Sequence, residues 1–311
     1  MVFYLCKHHT RDKMYILEPI IHETIWGGDR LHRYIDDKKR KVGHLYLVNG
    51  HDGMSNVILN GQDKGHTLQE VFLRNCEKWD MKEFCEFPLT IALVDATENL
   101  SIQVHPDDET AERLEQKRIG KKESWLFLEA PKSGWIYGGC MCDSAEELNG
   151  MLNKGRMQEI TAHLPIHQFD CACVEAGTLH AMTAGSLVYE IEYGSDFTYR
   201  FYDYDRIDAN GNRRELHTEK AVKSIKPQKS PSVIACKKET WISEDVYEIC
   251  WKENVSDYTN YGQEIECITV LKGTGNSSGV HIREGMSFLL MPGEEIRDVR
   301  FKNIIIARLK R

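Results

Sequence analysis

Three short segments far apart in the chain constrain it most: Ser101-Ile102-Gln103-Val104-His105, Gly120-Lys121-Lys122-Glu123 and Ala176-Gly177-Thr178-Leu179-His180. Together they offer four side chains suited to one metal ion, namely Gln103, His105, Glu123 and His180. In extended chain, residues two apart face the same side, so Gln103 and His105 can reach one ion while Val104 turns into the opposite layer. Gly177 and Thr178 read as a tight turn that delivers His180 onto a strand edge. Two imidazoles, a carboxylate and an amide oxygen suit zinc in a catalytic setting and leave room for water or substrate; iron and manganese are alternatives. Gln103 is the weakest of the four, since a neutral amide bonds equally well within a sheet.

The surrounding pattern is mainly β. Short alternating apolar runs predict strands at 89–95, 100–105, 124–129, 169–174 and 186–192. Helical spacing appears at 67–79, and at 144–163 as two short helices broken at Gly155. A third helix is expected over 107–119, opened by Pro106 and two aspartates and closed by Gly120. That helix separates His105 from Glu123, so these two ligands should come from two strands joined by a helical excursion. Periodicity lapses at 226–231, which reads as a linker between a metal-binding module at 14–227 and a second module at 232–311. The second module shows turns at 273–275, 283–285 and 292–293, and His281 is its only histidine.

Composition narrows the function classes. A net charge of −8 with dispersed basic residues argues against nucleic acid, and the Lys38–Lys41 run reads as a solvated loop. No apolar run approaches the roughly 20 residues that cross a bilayer. The apolar start at 1–5 is followed at once by charge, leaving no signal-peptide core, so a cytoplasmic protein with ten reduced cysteines is expected. Cys140-Met141-Cys142 and Cys171-Ala172-Cys173 read as small hydrophobes, with metal binding open only if the two pairs meet.

Seven segments in order resemble the type I mannose-6-phosphate isomerases, in their short bacterial form on the cupin fold. They are residues 17–28, Phe87-Pro88-Leu89, 101–108, 120–125, 176–181, 195–206 and Arg214-Glu215-Leu216-His217. The resemblance starts near Met14, which marks 1–13 as an extension or a misassigned start. It implies two cupin-type jelly-roll barrels, the first with short helical insertions and the second without metal. It implies a zinc-dependent aldose–ketose isomerase acting on mannose 6-phosphate and fructose 6-phosphate through an enediolate, one Zn2+ per chain on Gln103, His105, Glu123 and His180. Glu190 and Arg200 fall on an active-site glutamate and arginine, with Arg200 clamping oxyanion or phosphate, and Lys121 falls on a lysine two residues before the ligand glutamate. The chain departs from the family at Ala92 (a lysine), at His44 and Tyr46 (Glu and Trp), at Glu175 (Pro) and at 192–194 (Gln-Gln-Asn). Lost base at Ala92 and added acid at Glu192 work against a phosphate dianion. The competing reading is therefore a metal-binding cupin that recognises a sugar or sugar phosphate without turnover.

Overall fold

The computed structural model describes residues 14–311 except 37, 154, 155 and 209. The expected extension at 1–13 and the break at Gly155 lie outside the described residues.

The architecture is mainly β, as the alternating runs require. One seven-stranded antiparallel sheet runs in the order Ser232–Ala235, Asp170–Val174, Lys121–Glu129, Leu187–Gly194, Leu89–Asp95, Val42–Val48, Ile20–Gly28. A five-stranded sheet runs Thr161–Pro165, Trp135–Cys140, His180–Ala181, Ile102–Val104, Tyr199–Tyr202. Trp125, Phe127 and Val188 of the first pack with Ile136 of the second and with Met182 just past its central strand, so one core lies between the sheets.

The register of the large sheet divides its residues sharply. Leu45, Leu93, Tyr189, Leu126 and Cys171 form one cross-strand row. They are buried with Ile242, Tyr247, Ile249 and Cys267 from the C-terminal half. The neighbouring row, Tyr46, Ala92, Glu190, Trp125 and Ala172, faces the opposite way, toward the five-stranded sheet. One face is therefore a binding wall and the other a buried seam between the two halves.

The C-terminal half is built on a second seven-stranded sheet, whose main path is Tyr15–Leu17, Ser287–Leu290, Glu266–Ser277, Arg300–Leu309, Tyr247–Val255, Trp241–Ser243. The division expected between 227 and 232 is crossed in both directions. Strand Tyr15–Leu17 pairs with Ser287–Leu290 of the C-terminal sheet, and Ser232–Ala235 pairs with Asp170–Val174 of the N-terminal one. The expected turn at 273–275 is instead part of the 12-residue strand Glu266–Ser277. Gly273 serves there as an irregularity, at φ +114 and with no room for a Cβ beside the Arg300 carbonyl. The chain reverses one turn later, at Ser278 and Gly279.

The helices follow their caps. Leu68–Asn75 opens with a capping box between Thr67 and Glu70. Asp108–Glu115 is capped by Asp107, which accepts from the Thr110 N–H, and closes at Gln116 in the left-handed region, four residues before the expected stop at Gly120. Gly120 instead permits a close approach: a Cβ there would lie 2.6 Å from the Pro106 carbonyl oxygen. Helix Ala145–Asn153 and the short 3-10 turn Met157–Ile160 occupy the third helical region, but 161–163 belong to strand Thr161–Pro165.

Gly194 sits at φ +100, and a Cβ on it would meet the Gly120 carbonyl oxygen at 2.2 Å. Gly194→Ala is expected to destabilise the fold by about 3 kcal/mol, because it combines left-handed strain with a backbone clash. Urea unfolding checks this: the midpoint should fall with the slope unchanged.

Candidate metal centre

His105, Glu123 and His180 reach one point from three directions. His105 stands just past strand Ile102–Val104, Glu123 is third in Lys121–Glu129, and His180 begins His180–Ala181. Gly177, at φ +86, makes the turn before His180, and its N–H donates to the His105 carbonyl at 2.8 Å, tying two ligand segments together. One donor atom from each residue lies within 4.8 Å of the others, and all three side chains are about 99% buried or more.

Hydrogen bonds fix which ring nitrogens face inward. His105 Nδ1 lies 2.9 Å from the Phe197 carbonyl and His180 Nδ1 lies 2.8 Å from the Thr178 carbonyl. A carbonyl only accepts, so both Nδ1 atoms carry hydrogen and both Nε2 atoms present lone pairs when the rings are neutral. Burial, only partly offset by Glu123, lowers the His105 pKa to about 4, which keeps that ring neutral. Its Nε2 then stands 2.9 Å from Glu123 Oε2 as acceptor facing acceptor. His180 Nε2 lies 3.1 Å from Glu123 Oε1, yet neither atom has a hydrogen-bond partner among the described residues. Buried acceptors that converge in this way are satisfied by a cation. Ring N–H groups held by backbone carbonyls are the usual support of metal-ligating imidazoles. The donor set therefore fits a divalent metal.

Gln103 pairs directly with His180 across one strand and with Arg200 across the next. The register thus sets all three side chains on one face of the five-stranded sheet. Gln103 Oε1 lies 3.5 Å from the Ser101 hydroxyl, a weak contact.

The other wall carries an acidic row. Glu123, Glu190 and Glu192 also offer oxygens within 4.8 Å of one another. Lys121 stands among them, its Nζ 2.6 Å from Glu192 and 3.2 Å from Glu123. Burial opposes its charge, but Glu192, Glu123 and Glu190 more than offset this and raise its pKa. Glu123 shows the reverse: burial favours its neutral form, and His105 with Lys121 still holds its pKa well below the usual range. Glu190 is pushed well above it by burial and by Glu192 and Glu123. The Trp125 indole donates to Glu190 Oε1 at 2.9 Å, and Oε2 has no hydrogen-bond partner.

Of the family departures, Ala92 lies beside Glu190 in the row, and His44 Nε2 is 3.8 Å from Glu190 Oε2. His44 stacks between His22 and Tyr46. Glu175 is remote from this wall, half exposed and paired with Lys122 and Lys229. Arg200 Nη1 donates to the Glu215 carbonyl at 2.7 Å, and its buried Nε is unpartnered. Three functional contacts escaped the sequence reading. The Trp125 bond to Glu190 could have been inferred, because Trp125 is two residues beyond Glu123 on the same strand face. The Phe197 and Thr178 carbonyls have no signature in sequence.

The family description "Phosphomannose isomerase type I, catalytic domain" matches residues 14–123. Mannose-6-phosphate isomerase ManA of Bacillus subtilis is 35% identical over 215 residues, covering 69% of this chain and 68% of that protein. The chain belongs to the mannose-6-phosphate isomerase family. A Streptococcus mutans mannose-6-phosphate isomerase is 34% identical over 208 residues, 66% of each chain. The family likeness extends to the whole tertiary structure. The crystal structure of the Bacillus subtilis mannose 6-phosphate isomerase superposes with a TM-score of 0.80 at 28% identity, covering 96% of this chain and 99% of the other. A phosphomannose isomerase variant from Salmonella typhimurium, at 13% identity and TM-score 0.74, shares the fold.

His44 gives this site a measurable pH signature. Burial, followed by His22 and Lys121, lowers its pKa to about 3 against an ordinary value near 6.5. Below pH ~6.5 the unfolded chain takes up a proton that the folded one refuses until near pH 3, so stability is full above this window and is lost as pH falls through it, by up to ~1.4 kcal/mol per pH unit. In metal-free protein, His44→Phe should lose less stability than wild type between pH 7 and 5, as read by urea midpoints.

Proposed function

We propose that this chain is a zinc-dependent, cytoplasmic aldose–ketose isomerase that interconverts mannose 6-phosphate and fructose 6-phosphate through an enediolate. The observation that carries this reading is the convergence of His105, Glu123 and His180 beside Glu190, a buried carboxyl with a raised pKa. Zinc held by those three residues, with Gln103 as fourth, would supply Lewis-acid polarisation of the sugar oxygens.

The remaining work falls to the chain's own groups. Moving a proton between C2 and C1 needs one group that both takes and returns it, and such a group works best with a pKa near the operating pH. The Glu190 environment raises its pKa in that direction, Trp125 fixes one oxygen, and the other has no hydrogen-bond partner among the described residues. Lys121 is held protonated, so its role is to donate and to neutralise charge developing on oxygen, not to act as base. Arg200 shares a face with Gln103 and His180, and its planar donors suit either oxyanion or phosphate. Trp125 and Val188 keep the inner wall dry, which strengthens each of these interactions.

A coupled assay on mannose 6-phosphate with metal analysis of the same sample should show turnover and about one divalent ion per chain, both lost on chelation. Glu190→Gln should retain the metal yet suppress exchange of the C2 proton with deuterated solvent, followed by NMR. Metal and sugar phosphate bound without any wild-type exchange would instead establish the non-catalytic cupin.

Arg200→Ala should lower kcat by roughly 10²-fold if the arginine stabilises the enediolate, and should mainly raise KM if it only grips phosphate. Ala92→Lys should raise kcat/KM, with the gain shrinking at high salt.

A further inference from the structure

The Cys140-Met141-Cys142 segment lies outside the site above, at the end of strand Trp135–Cys140, on the outer face of the five-stranded sheet. There it meets a third sulfur: Cys142 Sγ lies 3.6 Å from Met151 Sδ on helix Ala145–Asn153. The Cys142 N–H donates to Cys140 Sγ at 3.4 Å, so all three residues meet at Cys142. We infer that Cys140, Cys142 and Met151 form a binding site for a soft monovalent cation, copper(I).

The spacing is close to what such an ion needs. Metal–sulfur bonds of about 2.3 Å place three sulfurs in a plane about 4 Å apart, and the Cys142–Met151 pair already stands at 3.6 Å. Two thiolates and a thioether are soft ligands that select copper(I) over harder divalent ions. Among the described residues, no histidine or carboxylate joins Cys140 and Cys142 in a cluster, so a tetrahedral zinc site lacks its remaining ligands. The shell is apolar, made by Leu148, Leu152 and Ile160, which suits an ion of single charge. The charges felt at the site are acidic. Burial, then Cys140, Glu147 and Asp143, push the Cys142 thiol up to about 12, so copper(I) must displace a firmly held proton and uptake should rise with pH. The backbone N–H already directed at Cys140 sulfur is ready to stabilise a metal-bound thiolate. Binding is a proton exchange without redox change: one copper(I) enters, the two thiols release two protons to solvent, and the Met151 thioether donates a lone pair.

The test is an anaerobic titration of the full-length, reduced, metal-loaded protein with copper(I) against a chromophoric copper(I) chelator. One equivalent should be withdrawn by wild type. The double substitution Cys140→Ser with Cys142→Ser should lower affinity by at least ~10²-fold, and Met151→Leu, which keeps the apolar volume, by ~10-fold. X-ray absorption of the loaded protein should report three sulfur neighbours. Equal copper(I) uptake by wild type and the double variant, both with native circular dichroism, would overturn the assignment, since Cys76 and Cys85 would then account for it. A Cys140–Cys142 disulfide by mass with no copper(I) uptake after reduction would overturn it equally.

Discussion

The architecture of this enzyme depends on one sheet that is buried on both sides. Each strand of the N-terminal seven-stranded sheet must satisfy two environments at a period of two residues, and it does so with opposite chemistry on its two faces. On Leu187–Gly194, Tyr189 and Ile191 turn to the C-terminal half, while Glu190 and Glu192 turn to the site. A shift of register by one residue would exchange these sets, exposing carboxylates to an apolar seam and filling the site with Tyr189 and Ile191. Apolar packing on one face thus fixes the charged groups on the other to within an ångström or so.

That coupling explains why the two halves are interlaced. Tyr15–Leu17 lends a strand to the C-terminal sheet, and Ser232–Ala235 returns one to the N-terminal sheet. The seam is further bridged by the Ser124 hydroxyl and the Tyr247 phenol, 2.7 Å apart. Ser124 separates the site-facing Glu123 from Trp125, so the C-terminal half holds the strand that carries this carboxylate. Its contribution to chemistry is rigidity.

The site concentrates charge at a cost that the fold offsets locally. Three carboxylates within 4.8 Å would repel strongly in a buried setting, and they coexist because their protonation differs. Glu123 is ionised against His105 and Lys121, Glu192 is paired with Lys121, and Glu190 is held toward its neutral form. Pushing neighbouring carboxyl pKa values apart lets one pocket hold both an ionised carboxylate and a near-neutral carboxyl. A lysine in place of Ala92 would enter this balance beside Glu190, which makes that position a sensitive control of the site's charge.

The chain's own sequence determined what depends on local spacing. Alternation located the strands at 89–95 and 186–192, Asp107 located its helix, and Gln103, His105, Glu123 and His180 could be named as candidates because ligand chemistry needs those side chains at turn-to-strand edges. Glycine is ambiguous locally, so Gly120 read as a helix end when it marks a close backbone approach, and Gly273 read as a turn when it lies within a strand. Only tertiary structure decided which strands exchange between halves, since pairing partners as far apart in the chain as Ala172 and Val233, or Tyr15 and Leu289, leave no mark on local pattern. It alone aimed the imidazoles through the Phe197 and Thr178 carbonyls, placed Trp125 on Glu190 and brought Met151 to Cys142. Those are distances of a few ångströms, set by how packed sheets and helices come to rest on one another.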